Sequence, residues 1–154
     1  MILLDSDVLL LDLRYRNDPK SAVNRQALQQ LRAANLALGI TYQALLEVVE
    51  ILSFNIPAGD IPLLPGLLCS QYRLSVRPDF HLHPEYAGCK VPELVTQMGR
   101  QMALGDAVLA VQVARHAPSA TCLLTWNARH FARKMTIPAL TPEDWLNQQS
   151  GTTP

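Results

Sequence analysis

The sequence has no long hydrophobic run, no excess of charge and few cysteines, and each absence excludes a class of protein. No apolar stretch reaches the roughly 18 residues that span a bilayer, so no membrane segment is expected. The first residues carry acids rather than a basic region, so we expect no signal peptide and a cytoplasmic location. Cys69, Cys89 and Cys122 have no paired spacing, which favours reduced thiols over a disulfide framework or a zinc site.

The charges balance, and this limits the kinds of partner. Thirteen basic and 13 acidic residues give a formal net charge of zero, which argues against a strongly basic nucleic-acid surface but allows a local patch. The 154 residues are 49% hydrophobic and 17% charged, the balance of one compact globular domain. Without repeats or linkers, we expect a single domain over residues 1–147 and a loose polar tail over residues 148–154.

Short apolar runs alternate with helical patterns along the chain. Strands are predicted at the start (Ile2-Leu3-Leu4) and over residues 36–40, 121–125 and 137–140. Helical patterns cover residues 8–15, 21–35, the segment after Thr41, 67–74, 92–102, 106–116 and 142–146. Asp7 and Thr41 are the expected N-caps of the first and third helices. The alternation predicts a parallel sheet covered on both faces, which is a three-layer α/β/α fold.

Two segments do not fit this alternation. Residues 56–65 are rich in proline and glycine, which indicates a loop or a broken helical connection. Residues 77–89 are rich in histidine and proline and are not assigned. His81 and His83 lie there, but two alternating histidines without a third ligand are a weak signal for a metal site.

Four polar residues stand out by their position relative to the predicted strands. Asp5 ends the first strand, and Glu47 lies on the apolar face of the helix after the second. Asp106 follows Gly105 at a helix start, and Asn127 lies two residues beyond the third strand. In a parallel sheet all four could lie at the carboxyl edge, where open α/β folds place their sites.

Carboxylates gathered at one edge would repel one another unless a cation were bound between them. Ligands that are all oxygen select a hard ion, Mg²⁺ or Mn²⁺. Such a site suits metal-assisted hydrolysis of phosphodiester bonds. Each residue also has a structural interpretation: Asp5 as a helix cap, Glu47 as an ion-pair partner, Asp106 as a helix-start acid and Asn127 as a turn residue.

Four segments together resemble the motifs of PIN domains, nearest to the VapC-like toxins of bacterial toxin–antitoxin pairs. They are Asp5-Ser6-Asp7-Val8-Leu9, the helix of Glu47, Gly105-Asp106-Ala107-Val108-Leu109-Ala110 and Thr125-Trp126-Asn127-Ala128-Arg129-His130-Phe131. They follow the family's order and spacing over essentially residues 1–147. The last segment is fairly specific, and the four together are a strong signal.

The resemblance implies a Mg²⁺- or Mn²⁺-dependent endoribonuclease. Asp5, Glu47 and Asp106 would be its acidic metal ligands and Asn127 the fourth polar residue of the site. Ser6 stands where the family often has threonine, and Thr125 matches the family's hydroxyl before the fourth position. The resemblance also implies a homodimer and an antitoxin whose tail reaches the site.

The departure at Asn127 bears on the number of metal ions. Many family members have aspartate there, so the neutral amide removes one negative charge and weakens the case for a second ion.

Several neighbouring residues have two interpretations. Arg129, Arg133 and Lys134 form the best basic cluster beside the proposed site, either contacting RNA phosphates or forming a solvated surface. Trp126 is a candidate for stacking a base or for the core. His130 and Phe131 are expected to pack under the loop of Asn127, Asp7 to cap a helix rather than support the metal site, and Glu50 to face solvent.

Two other functions are compatible with parts of the pattern. In a haloacid-dehalogenase-type phosphatase, Asp5 would be the nucleophile, Asp7 the general acid and Asp106 the Mg²⁺ ligand. That family needs a further acid after Asp106, but positions 110 and 111 are Ala and Val, and Lys90 is the only nearby lysine. The second alternative is a degenerate PIN-like module that binds RNA or a partner without cleavage.

Overall fold

The computed structural model describes residues 1–79 and 88–150. Within these ranges five strands form one sheet: β1 (Ile2–Leu4), β2 (Leu38–Thr41), β3 (Leu74–Arg77), β4 (Cys122–Leu124) and β5 (Ala139–Leu140). The strand order is β3-β2-β1-β4-β5, and every pairing is parallel. The predicted three-layer α/β fold with a short parallel sheet is confirmed.

Helices fill the connections between the strands. Those in the described ranges are α1 (Ser6–Leu13), α2 (Ser21–Ala33), α3 (Tyr42–Ser53), α4 (Leu64–Tyr72), α5 (Val91–Met98), α6 (Leu104–His116), α7 (Ala128–Phe131) and α8 (Pro142–Ser150). A short 3₁₀ helix over Ile61–Leu63 interrupts the segment predicted to be a broken helical connection. Among residues 1–79 and 88–150, no helix combines the length and apolar character that a membrane crossing requires.

The central strand β1 is apolar because it is covered on both faces. Leu3 and Leu4 are fully buried, and Leu4 pairs with Ile40 on one side and with Leu124 on the other. A strand that is buried on both faces has no polar position to alternate with, which explains the unbroken apolar run. Asp5 follows directly, so its carboxyl group leaves the sheet at the carboxyl edge.

The hydrogen-bond ladder continues one residue past the strands and fixes two site residues. The Asp5 N–H donates to the Leu124 carbonyl at 3.0 Å, and the Thr125 N–H donates to the Leu140 carbonyl at 3.0 Å. The strand order reverses between β1 and β4, which is the topological switch point of an open α/β sheet. Asp5 and Thr125 therefore lie where such folds place their sites.

Strand β3 was not predicted from the sequence. A helix was expected over residues 67–74, but α4 ends at Tyr72 because Arg73 adopts a left-handed conformation with φ of 54°. Leu74 then begins β3 and pairs with Leu38. Short apolar runs do not distinguish a helix from a strand, and nothing in the sequence marks the reversal at Arg73.

Three helix ends also differ from the prediction. Helix α1 begins at Ser6 and is capped by Asp5, so Asp7 lies in its first turn and is not the N-cap. Helix α6 begins at Leu104, before the glycine that was expected to precede it. Helix α8 continues to Ser150, past the predicted start of a loose tail, while residues 151–154 lie outside the described residues. Of the unassigned stretch 77–89, residues 80–87, including both weakly supported histidines, lie outside them as well.

Gly39 in β2 offers a test of how tightly the sheet is packed. A Cβ atom at Gly39 would lie 2.8 Å from Met1 Sδ and 3.2 Å from the Ser75 carbonyl oxygen. We expect Gly39→Ala to lower the free energy of unfolding by about 1–3 kcal/mol through overpacking, measured by urea denaturation. Gly66→Ala is the matched control, because Gly66 lies in α4 with nothing within 4 Å of the added Cβ. It should stabilise by about 0.5–1 kcal/mol, and a Gly39→Ala protein as stable as the parent would contradict the packing argument.

Candidate active site

Asp5 is the most deeply buried acid of the candidate site, with 6% of its surface exposed. Its Oδ1 accepts the Ser6 N–H at 2.8 Å, which caps α1. The structural interpretation of Asp5 as a cap is therefore correct, and it does not compete with a role at the site. The same bond holds the carboxyl group at the end of β1.

Asp7 joins the first motif to the fourth. Its Oδ2 accepts the Thr125 hydroxyl at 3.1 Å and the Trp126 N–H at 2.9 Å. Thr125 is fully buried, and its Oγ1 accepts the Asn127 N–H at 3.0 Å. The sequence interpretation of Asp7 as an N-cap is wrong, since the side chain bonds to the loop after β4. The Asp-Ser-Asp spacing gives no sign of this partner, which lies more than a hundred residues away.

Glu47 is held by one partner on each carboxylate oxygen. The Ser6 hydroxyl donates to Oε2 at 2.8 Å, and Gln43 Nε2 donates to Oε1 at 2.7 Å. Ser6 thus contacts Asp5 through its N–H and Glu47 through its hydroxyl, so it links two of the predicted acids. Gln43 was missed, although its position four residues before Glu47 on α3 is a spacing that places side chains together.

Gly105 allows α6 to approach α3 closely at the site. A Cβ atom at Gly105 would lie 2.9 Å from Glu47 Oε1 and 3.2 Å from Gln43 Nε2. Asp106 follows in the first turn of α6, and the charge of Glu47 contributes to raising its pKa. A second tie between the two helices is the bond from the Gln43 N–H to Gln112 Oε1 at 3.0 Å. Gln112 is fully buried, and the sequence prediction did not single it out.

His130 contacts Asp106 directly. Its Nε2 lies 2.8 Å from Asp106 Oδ2, off the axis of a linear hydrogen bond, so the contact is mainly electrostatic when the imidazole is protonated. The ring also meets Phe131 edge to face with a centroid separation of 5.8 Å. The predicted packing role is therefore incomplete, because His130 also reaches an acid of the site.

Burial and mutual repulsion disfavour the charged forms of these acids. Burial, reinforced by the charges of Asp7 and Glu47, raises the pKa of Asp5 to about 7 against opposing bonds from Thr125 and Ser6. Burial also raises the pKa of Asp7 to about 6, opposed by Thr125, Trp126 and Lys20. For Asp106, burial raises the pKa above its ordinary value, while His130 and Lys134 oppose the shift.

The remaining predicted residues lie in the loop after β4, on α7 and shortly after it. Asn127 is exposed and lines the same cavity as Asp7, and its side chain makes no hydrogen bond to Glu47 or Asp106 within the described residues. Arg129 is exposed on α7, and Lys134 is the member of the basic cluster whose charge acts on Asp106. Lys134 Nζ also donates to the Gln101 carbonyl at 3.0 Å.

The donor set is chemically suited to a hard divalent cation. Carboxylates and hydroxyls are the ligands that Mg²⁺ and Mn²⁺ prefer, and Asp7 Oδ1 is buried without a hydrogen-bond partner among the described residues. Within residues 1–79 and 88–150, however, no three His, Cys, Asp or Glu side chains are arranged closely enough to hold an ion as they stand.

The strand order and the layers define an open α/β protein with acids at its switch point. The solved structures identify the particular fold, which is PIN-like. A chain of VapBC2 from Rickettsia felis, bound to a DNA fragment from the promoter of that pair, matches with a TM-score of 0.60 at 18% identity, over 92% of this chain and 98% of that one. A chain of VapBC-1 from nontypeable Haemophilus influenzae matches with a TM-score of 0.56 at 14% identity, over 93% and 99%.

A third match extends the likeness to another pair. A chain of FitAB bound to the IR36 DNA fragment has a TM-score of 0.53 at 17% identity, over 92% of this chain and 95% of that one. No family model and no curated protein matches the chain. At these identities the likeness shows the fold, and the resemblance to VapC-like proteins is confirmed at that level.

The raised pKa values predict how stability depends on pH. Folded Asp5 and Asp7 keep protons that the unfolded chain releases near 3.8, so stability should fall as pH rises from about 4 to about 7 in EDTA. Asp5→Asn keeps a cap acceptor but removes the charge, and should reduce this fall by on the order of 2 kcal/mol. Chemical denaturation at about pH 5 and about pH 7.5 measures the difference.

The control for this measurement is Glu50→Gln, which neutralises an exposed acid on the same helix as Glu47. Its stability should vary with pH as that of the parent protein does. An equal fall in the parent and Asp5→Asn proteins would show that folding does not raise the pKa of Asp5.

Proposed function

We propose that this protein is a Mg²⁺- or Mn²⁺-dependent endoribonuclease and the toxin of a toxin–antitoxin pair. The observation that carries the proposal is the set of acids at the switch point of a PIN-like fold. Asp5 and Glu47 share Ser6 as a hydrogen-bonding neighbour, and the charge of Glu47, which lies across Gly105, contributes to the raised pKa of Asp106. Acids that repel one another destabilise the folded state. Such clusters are therefore found most often where function requires them.

Asp5, Glu47 and Asp106 are the residues that would hold the ion. The chemistry that Mg²⁺ or Mn²⁺ would supply is to offset the negative charge of the phosphate and to lower the pKa of a water molecule, so that hydroxide is available as the nucleophile. Ser6 and Gln43 would orient Glu47, while Thr125 would fix the loop of Asn127 through Asp7. Asn127 adds an amide rather than a fourth carboxylate, which favours one tightly held ion over two.

RNA would reach the site beside a small group of cations. Lys134 and His130 act on Asp106, and Arg129 is exposed on the adjoining helix α7. Cations at this place can bind phosphate oxygens and hold the strand while the overall charge stays at zero. We propose Ser6, Thr125 and Arg129 as the residues that position the substrate.

A module that binds RNA or a protein without cleavage is the second candidate. It is favoured by the neutral Asn127 and by the finding that no three acids among the described residues are arranged to hold an ion. For the phosphatase alternative, Lys90 would have to serve the site. It lies exposed at the N-cap of α5, where its backbone N–H donates to Glu93 at 2.9 Å.

Cleavage of RNA tests the proposed activity. The purified protein should cut structured or single-stranded RNA with Mg²⁺ or Mn²⁺ and should not cut it in EDTA. Asp5→Asn, Glu47→Gln and Asp106→Asn should each lower the cleavage rate by about 100-fold or more, because each removes a charge that the reaction needs. Fragments are resolved on a denaturing gel.

Glu50→Gln is the matched control, since it neutralises an acid of α3 that lies one turn from Glu47 and faces solvent. It should cut RNA at the parent rate. Cutting that persists in EDTA, or in all three site variants, would rule out a metal nuclease at these residues. Release of phosphate from a small monoester would favour the phosphatase instead.

Growth arrest tests the toxin role separately from the chemistry. Induced expression of the parent protein should stop bacterial growth, and Asp106→Asn should restore it while accumulating to the same level. Glu50→Gln should remain toxic. Normal growth with abundant, active parent protein would contradict the toxin role while leaving the nuclease intact.

The partners belong to the same proposal. We propose a cytoplasmic homodimer that is held inactive by a cognate antitoxin. The support is the fold, because the similar chains come from the VapBC and FitAB pairs.

A further inference from the structure

A cavity of about 280 Å³ adjoins the candidate active site through Asp7. Its wall is formed by α1, by the turn that leads into α2 and by the loop after β4. Asp7 and Asn127 belong both to this wall and to the motifs of the site. The cavity is therefore placed to receive a part of the substrate that does not react.

One wall of the cavity is a fixed aromatic surface. Trp126 is half-buried, and its Nε1 donates to Asn24 Oδ1 at 2.9 Å. Asn24 is fully buried and in turn donates from Nδ2 to the Val8 carbonyl at 2.9 Å. The indole is thus anchored to α1 and α2, which gives a rigid π-face on which a nucleobase can stack.

The rim of the cavity carries charges of both signs. Asp18 Oδ1 accepts the Lys20 N–H at 2.8 Å, which fixes the turn, and a carboxylate has acceptor capacity beyond one bond. Lys20 Nζ lies 5.1 Å from the centre of the Trp126 ring. The attraction between a cation and the face of a ring is weaker than the stacking of a base on it. A base can therefore displace Lys20 from the Trp126 ring.

Asp7 gives an independent indication of a ligand. Its Oδ2 is satisfied by Thr125 and Trp126, but its Oδ1 is buried and makes no hydrogen bond within the described residues. Buried polar atoms are rarely left without a partner. The oxygen has almost no exposed surface in the present arrangement, so a small rotation of the Asp7 carboxyl group would let an N–H donor on a molecule in the cavity reach it.

We propose that this cavity binds a guanine base of the RNA strand, beside the phosphodiester that is cleaved. Guanine presents N1–H and N2–H₂ donors, which match the carboxylates of Asp18 and Asp7, and O6 and N7 acceptors, which match the ammonium group of Lys20. Uracil and cytosine offer fewer donors on one edge, and adenine has no acceptor in place of O6. The inference rests on the proposed function for its substrate, but the binding of the base can be measured without cleavage.

Nucleosides test the cavity, because they carry no phosphate and need no metal ion. The protein has two tryptophans, and Trp145 is buried in the core, so a quench from a stacked base reports on Trp126. In EDTA, guanosine should quench the fluorescence saturably, and inosine, which lacks the N2 amine, should bind about tenfold more weakly. Adenosine, cytidine and uridine should bind more weakly still.

Variants assign the quench to the cavity. Asp18→Asn should weaken guanosine binding by about tenfold, because it removes the charged acceptor for the guanine donors. Asp18 is exposed, so its replacement leaves the fold intact. Asp144→Asn is the matched control, an exposed acid that likewise holds a local turn by bonding to Thr141, and should bind guanosine as the parent does. In Trp126→Leu the remaining fluorescence of Trp145 should not respond to guanosine.

Cleavage sites connect the cavity to the substrate strand. RNA should be cut next to guanine by the parent protein, and Asp18→Asn should lose this preference. Quenching that is equal for all nucleosides, that survives Trp126→Leu or that ignores Asp18→Asn would overturn the proposal, as would cleavage without regard to guanine. Specific binding of guanosine by a protein that cuts no RNA would support the cavity and count against the nuclease.

Discussion

The structure depends on one constraint, which is that several carboxyl groups are kept close together where water reaches them poorly. Asp5 is almost wholly enclosed, and Asp7 lies two residues away on the same helix turn. Their repulsion opposes folding at neutral pH, and the hydrogen bonds from Ser6, Thr125 and Trp126 offset only part of it. The fold tolerates the repulsion between Asp5 and Asp7 because the rest of the core supplies enough stability.

The parallel sheet supplies that stability and also sets the geometry. Its three central strands, β2, β1 and β4, are short and fully buried, so their hydrogen bonds and packing do not depend on the polar residues that follow them. The ladder bonds of Asp5 and Thr125 extend this order by one residue into the site. Gly105 completes the geometry of the site, because the missing side chain lets α6 bring Asp106 close to Glu47.

The sequence was sufficient for four of the five strands and for the acids that follow them, because apolar runs and polar exits are local patterns. It was not sufficient for β3, since the reversal at Arg73 requires a left-handed residue that glycine usually provides. Nor could it reveal what Asp7 contacts, because Thr125 and Trp126 meet it only after β1 and β4 have paired. The partners of His130 and Gln112 were hidden for the same reason, as each is contributed by a different element.

Asp7 shows why such long-range contacts matter for function. One carboxylate oxygen ties the loop after β4 to α1, and the residue also lines the cavity that Trp126 bounds. A group that belongs to both places couples them, since any movement of the loop of Asn127 changes the acids and the cavity together. Because Asn24 holds the indole and Thr125 holds the loop, that movement is restricted from both sides. In the proposed function, the recognition of a base and the position of the scissile bond would therefore be set by the same few hydrogen bonds, without a separate domain for either task.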